Sequence, residues 1–189
     1  VAEKFITADL HLGHGAIIKH CNRPFKNYQE MDECLITNWN ARVRDGDLVY
    51  IVGDAIWARE EYTYRKYMKA LNGTKILIKG NHDNKNVLRK VKDVYAKVTT
   101  RERIKCGEHM IVADHFPLYH WDRSHFNAYH VHGHNHGNIK DIYDNTGKIL
   151  DVGVDTNNFY PYHIDEVLKI METKPDNCNY IQPEHRYKR

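Results

Sequence analysis

Residues 75–83 read KILIKGNHD, an apolar run that stops at a glycine and then presents an amide, an imidazole and a carboxylate in succession. The run predicts a strand over Lys75–Lys79. Val87, Leu88 and Val91 follow at helical spacing and predict a helix behind the polar turn. Working outward, the same event recurs four times. KFITADLH (4–11), LVYIVGD (48–54), HMIVADH (109–115) and YHVHGHNH (129–136) are each an apolar stretch that ends in Asp, Gly or His. Between them, Tyr28–Val43 carries Met31, Leu35, Ile36, Trp39 and Val43 at helical spacing, and a further helix is expected over Arg59–Leu71 with Asn72-Gly73 as its stop. Strands are expected over Val94–Thr99, Arg101–Lys105 and Ile149–Val154, with turns at Cys106-Gly107-Glu108 and Asn145-Thr146-Gly147. A last helix is expected over Ile164–Glu172, ahead of an irregular tail from about 174 to 189. Strands and helices alternate and more strands follow, which predicts a sheet-rich α/β core in one domain spanning 1–189.

Composition narrows the class without naming a chemistry. The 189 residues are 41% hydrophobic and 28% charged, which excludes a disordered or collagen-like chain. The longest apolar runs, such as Leu48 to Gly53, are too short to span a bilayer, and no basic-then-apolar leader opens the chain. Cys21, Cys34, Cys106 and Cys178 show no regular spacing, so reduced thiols and a cytoplasmic setting are expected. The net charge of +3 permits an anionic partner but gives little support to a polymeric nucleic acid. Fourteen histidines stand out, because imidazole is the commonest protein metal ligand.

Five clusters follow the predicted strands: Asp9-Leu10-His11, Gly53-Asp54, Gly80-Asn81-His82-Asp83, Asp114-His115 and Gly133-His134-Asn135-His136. Taken singly they are unremarkable, since Asp9 could cap a helix and Gly53-Asp54 is an ordinary turn. Taken together they are hard to dismiss, because ligands of α/β sheets gather outside the carboxyl ends of strands. Carboxylate, imidazole and amide oxygen suit a borderline-to-hard divalent cation. Seven or eight such donors are too many for one tetrahedral site and match two ions sharing a carboxylate.

In this order the clusters resemble the calcineurin-like metallophosphoesterases, whose pattern is DxH, GD, GNH[DE], a lone His after a strand, and GHxH. The likeness spans residues 5 to 137. It implies a four-layer α-β-β-α sandwich, two facing mixed β-sheets flanked by helices. It also implies that Asp9, His11 and His136 hold one metal and Asn81, His115 and His134 the other, with Asp54 between them and His82 a catalytic imidazole. Two divalent ions are expected, manganese before iron, zinc, nickel or magnesium. One departure is Trp57, which stands where many members carry an aspartate after the GD motif.

The resemblance implies hydrolysis of a small phosphoester by in-line attack of a hydroxide shared between the ions. A nucleotide-like phosphodiester is the first expectation. A phosphomonoesterase or protein phosphatase is the alternative, and a non-catalytic scaffold of the same fold is disfavoured because every motif residue is present. Around this set, Asp83 either orients His82 or caps the following helix. Arg23 either grips a phosphate or is a surface arginine. Trp57, Tyr119, His120 and Trp121 either stack a base or pack in the core. His132 either neighbours the site or faces another layer, and the basic end 185–189 either touches nucleic acid or is solvated.

Overall fold

The computed structural model describes residues 2–139 and 146–186. Among the described residues nine strands form two mixed sheets. In the first, β4 (Lys97–Thr99), β3 (Thr74–Ile78), β2 (Leu48–Val52), β1 (Lys4–Thr7) and β9 (Tyr162–His163) lie side by side in that order. All neighbours are parallel except β1 and β9. In the second, β5 (Arg101–Cys106) pairs antiparallel with β6 (His109–Asp114), and β7 (Tyr129–His132) and β8 (Ile149–Asp151) continue in parallel. Among the described residues five helices accompany them: α1 (Gly15–His20), α2 (Tyr28–Arg42), α3 (Glu61–Ala70), α4 (Lys85–Lys90) and α5 (Ile164–Thr173).

Alternation along the strands sorts the core. Phe5, Val49, Ile51 and Leu77 pack with Met31, Leu35 and Trp39 of α2, Tyr64 and Met68 of α3, and Val87 and Leu88 of α4. Ile6, Tyr50, Val52 and Ile78 point the other way and meet Ile104, Ile111, Ala113, Tyr129 and Val131 of the second sheet. Helix α5 closes this inter-sheet layer with Ile164, Val167 and Met171. The far side of the second sheet is covered by Trp121, Leu118 and Ala128 against Val112 and Ile149, so a loop and not a helix covers that patch. Helix α2 starts where Asn27 accepts a bond from the Glu30 amide, as an N-cap should.

Two expected strands are shorter than the sequence suggests. Residues 92–94 turn as a 3₁₀ segment, because Tyr95 folds inward to hydrogen-bond Tyr64, and pairing resumes at Lys97. The strand begun at Ile149 stops at Asp151, whose carboxylate accepts the Gly153 amide at 2.8 Å. There the chain crosses between sheets: Val152 N–H donates to the His132 carbonyl, and Ala8 N–H donates to the Val152 carbonyl. This crossing stitches together the ends of β1, β7 and β8, where the polar clusters lie. Gly147 of the expected turn is described, whereas Asn145 lies outside the described residues, as does the end of the tail, 187–189.

Candidate metal centre

Three of the five clusters leave their strands through backbone that side chains rarely adopt. Asp9, His11, Asp54, His134 and His136 have φ of +57°, +51°, +53°, +69° and +51°. Left-handed backbone costs a non-glycine residue about 1–2 kcal/mol, so these conformations persist only where the surroundings enforce them. Glycines supply the close approach. A Cβ on Gly80 would stand 2.2 Å from Asp54 Oδ1, and one on Gly133 would stand 2.6 Å from Asp9 Oδ2.

The result is one compact set of donors. Ligand atoms of Asp9, His11 and His136 lie within 4.8 Å of one another, and so do those of Asp9, Asp54 and His115. Asp54 Oδ2 is 3.7 Å from His11 Nε2 and 3.4 Å from His115 Nε2, so its carboxylate stands between the two groups. Asn81 Oδ1 is 2.9 Å from His115 Nε2 and 3.0 Å from His134 Nδ1. All the ligand candidates read from the sequence therefore meet. Two buried atoms, Asp9 Oδ1 and His11 Nε2, have no hydrogen-bond partner. Buried polar atoms are ordinarily paired, and a cation among these donors would satisfy both. Hard oxygens with borderline imidazoles fit a divalent ion.

The electrostatics point the same way. Burial pushes the Asp9 carboxyl up to about 7 and drives His11 down to about 2. Burial also works against charge on His115, yet the bond to Asp54 and its negative charge raise that imidazole to about 9. His136 likewise overcomes burial through its bond to Asp155 and rises to about 10. The carboxylates demand positive charge at this spot, which protons on imidazole or a cation can supply.

The remaining candidates separate cleanly. The His82 amide donates to Asp54 Oδ1 at 2.8 Å, and its exposed ring lies 5.5 Å from the His11 ring and 5.3 Å from Trp57. The buried Asp83 carboxylate accepts the amides of Gly80, Asp54 and Ala55, at 2.8, 3.0 and 3.2 Å. It clamps the second loop to the third, and the cap of α4 is Asn84 instead. Arg23 is neither a phosphate grip nor a surface residue, since it is buried and its guanidinium is committed to Asp155 and to backbone carbonyls. Trp121 is also out of reach of a substrate: it packs on the far side of the second sheet and donates to the Ala128 carbonyl. Trp57 is 40% exposed beside His82, stacked on His14 at 4.0 Å. Tyr119 is exposed and leans on His120. His132 is buried, and with His136 it lines a cavity of about 810 Å³.

Sequence reasoning missed three neighbours. His14 Nδ1 is 3.3 Å from His11 Nδ1. Asp155 bonds His136 at 2.7 Å, and Cys21 shares that corner within 4.8 Å of both. His14, three residues past His11, could have been noticed, whereas nothing local marks Asp155 or Cys21.

No family model matches the chain. The uncharacterized protein MJ1445 of Methanocaldococcus jannaschii is 34% identical over 180 residues, covering 89% of this chain and 90% of that protein. The chain belongs to the family of that protein. The crystal structure of the Aquifex aeolicus protein of unknown function AQ665 shares the fold, with a TM-score of 0.72 and 23% identity over 90% of this chain and 100% of that one. The phosphoesterase Yfce of E. coli is 14% identical with a TM-score of 0.42, over 80% of this chain and 78% of that one. A likeness that slight carries no weight for function. The calcineurin-like metallophosphoesterase resemblance stands on the five motif loops, which meet in one place.

Proposed function

We propose that this protein is a dinuclear metal-dependent phosphoesterase that hydrolyses phosphodiesters, nucleotide-like ones foremost, in the cytoplasm. The observation that carries the reading is the pair of unpartnered buried atoms, Asp9 Oδ1 and His11 Nε2, inside a ring of carboxylate and imidazole donors. In this reading Asp9, His11 and His136 hold one ion, Asn81, His115 and His134 the other, and Asp54 serves both. Two divalent ions, manganese foremost, would supply an activated water and neutralise phosphoryl oxygens.

The chain's own residues do the rest. Asp54 is held by the His82 amide, which fixes the carboxylate between the two groups and ties His82 to it. His82 is exposed at the edge of the donor set, where its ring can give a proton to a departing alkoxide. Asp83 keeps the loops of Asp54 and Asn81 in register through three amide bonds. Trp57 borders the leaving side and offers a planar surface to a base. Among the described residues no helix is long and apolar enough to cross a membrane.

The test is turnover by manganese-loaded protein of bis-p-nitrophenyl phosphate against p-nitrophenyl phosphate, with elemental analysis of the same preparation. Two ions per chain and a higher kcat/KM for the diester are expected. A clear monoester preference would promote the phosphatase alternative, and no bound metal at micromolar manganese would remove the reading altogether.

A further inference from the structure

Arg23 is the most fully engaged cation near the site. Its Nε and Nη2 donate to the two oxygens of Asp155, both at 2.8 Å. Nη2 also donates to the Asp9 carbonyl at 2.7 Å, while Nη1 donates to the Leu10 carbonyl at 3.1 Å and faces Met31 Sδ at 3.4 Å. A guanidinium has five N–H groups, and every one is used here. Its side chain is fully buried, so nothing is left to offer a substrate. Asp155 Oδ2 in turn lies 2.7 Å from His136 Nδ1.

We infer that Arg23 and Asp155 form a positioning relay that organises Asp9, His11 and His136 as one half of the metal centre; this rests on the metal-dependent reading above. Two consequences follow from the bonding. Asp155 accepts two bonds from Arg23 and is an acceptor toward His136, so His136 donates through Nδ1 and keeps the Nε2 lone pair for an ion. Arg23 also grips the carbonyls of Asp9 and Leu10 within the left-handed turn that carries Asp9 and His11. One buried guanidinium thereby holds the loop after β1, the loop after β7 and the segment after β8 in a single register. The other half has a different support. His115 Nδ1 rests on the Val52 carbonyl at 2.9 Å, and its Nε2 meets Asn81.

The test is Asp155→Asn, with Asp155→Glu as the conservative rescue. Asn is nearly isosteric; with its oxygen in the place of Oδ1 it still accepts from Arg23 Nε, while its NH2 in the place of Oδ2 gives up the Nη2 bond and donates toward His136 Nδ1. That bond forces the proton onto Nε2 and removes the lone pair an ion needs. Manganese titration of the wild type should resolve two equivalents. In Asp155→Asn one equivalent should weaken about 10–100-fold while the other holds, and Asp155→Glu should recover part of the loss. In zinc-loaded wild type, nitrogen-15 NMR should show a hydrogen-bonded Nδ1–H on His136, absent from Asp155→Asn. Thermal melting of the metal-free proteins separates fold from positioning. The relay is overturned if Asp155→Asn binds both equivalents as tightly as wild type, or if both weaken together in step with a lower melting temperature. Wild-type protein that binds no manganese removes the metal-dependent reading itself, and the relay falls with it.

Discussion

His11 and His130 are buried to nearly the same degree, 2% and 0% exposed, and burial lowers the basicity of both, to about 2 and about 4. Their surroundings are nevertheless opposite. His130, inside β7, has Nδ1 on the Val112 carbonyl at 2.9 Å, and its Nε2 accepts the Leu118 amide at 3.1 Å. Both nitrogens are satisfied by one neutral tautomer. His11, on the loop after β1, has left-handed backbone and an Nε2 with no hydrogen-bond partner. A buried histidine in a strand with complete bonding is core; one in a strained turn with an unpartnered ring nitrogen is built to bind something. Burial alone does not distinguish them.

The comparison breaks most completely at Asp54, which stands between His11 and His115. Asp54→Ala should strip both ions and lower turnover by roughly 10²–10³-fold or more, measured by elemental analysis and diester hydrolysis on one preparation. Retention of two ions would show that Asp54 does not serve both of them. His82 should behave differently, because its ring lies at the edge of the donor set. His82→Ala is expected to keep both ions and to lose roughly 10²–10⁴-fold in turnover of alkyl esters. The loss should be smaller for aryl esters, whose leaving group needs less protonation. Equal losses for the two ester types would count against a proton-donating role, and lost metal would make His82 a ligand.

The clusters were legible because the strand-end pattern is local: a short apolar run, then Gly, Asp or His within two residues. The parallel core of β1, β2 and β3 and helices α2, α3 and α5 were legible for the same reason, since periodicity needs only neighbours. What escaped reading depends on partners far along the chain. Arg23 becomes buried because Asp155, 132 residues away, neutralises it. Neither residue type nor spacing signals that pairing. Trp57 and Trp121 look alike in sequence, and only the stack on His14 and the bond to Ala128 set one beside the site and the other in the core. In sequence Asp83 looks like a cap or an orienting group, and its amide partners 28 and 29 positions back leave no local mark.

A pH measurement sharpens the contrast from the His130 side. The native value near 4 lies below the ordinary 6.5, with Asp114 and His132 as the charged neighbours of the ring. Between those values the unfolded chain binds a proton on this residue that the native protein refuses, so the contribution of His130 to stability falls as pH drops from about 6.5 toward 4 and is constant above that window. The span corresponds to roughly 3 kcal/mol at about 1.4 kcal/mol per pH unit. His130→Gln can mimic both bonds without titrating. The stability gap between wild type and His130→Gln, from urea melts of metal-free protein, should therefore narrow on acidification. A gap that stays constant from pH 7 to pH 4.5 would mean that native His130 takes up its proton as readily as it does in the unfolded chain, contrary to its bonding.

The smallest effect is expected at Trp57, and it tests whether the loop region reaches beyond its donors to the substrate. One face of the indole is held by the His14 ring, at 4.0 Å and 8° between planes, and its amide donates to the Leu12 carbonyl at 2.8 Å. It is thus fixed in place while 40% of it remains exposed, next to His82 in a cleft of about 110 Å³ that Arg59 and Asn84 also line. A rigid aromatic surface costs little entropy to use, and stacking a base is worth about 1–3 kcal/mol. Trp57→Ala should raise KM for a dinucleotide diester about tenfold, with little change in kcat, because stacking is present before and during bond cleavage alike. Removing this exposed side chain should barely move the melting temperature. An unchanged KM would confine recognition to the phosphoryl group, and a large drop in melting temperature would make the indole a packing residue like Trp121.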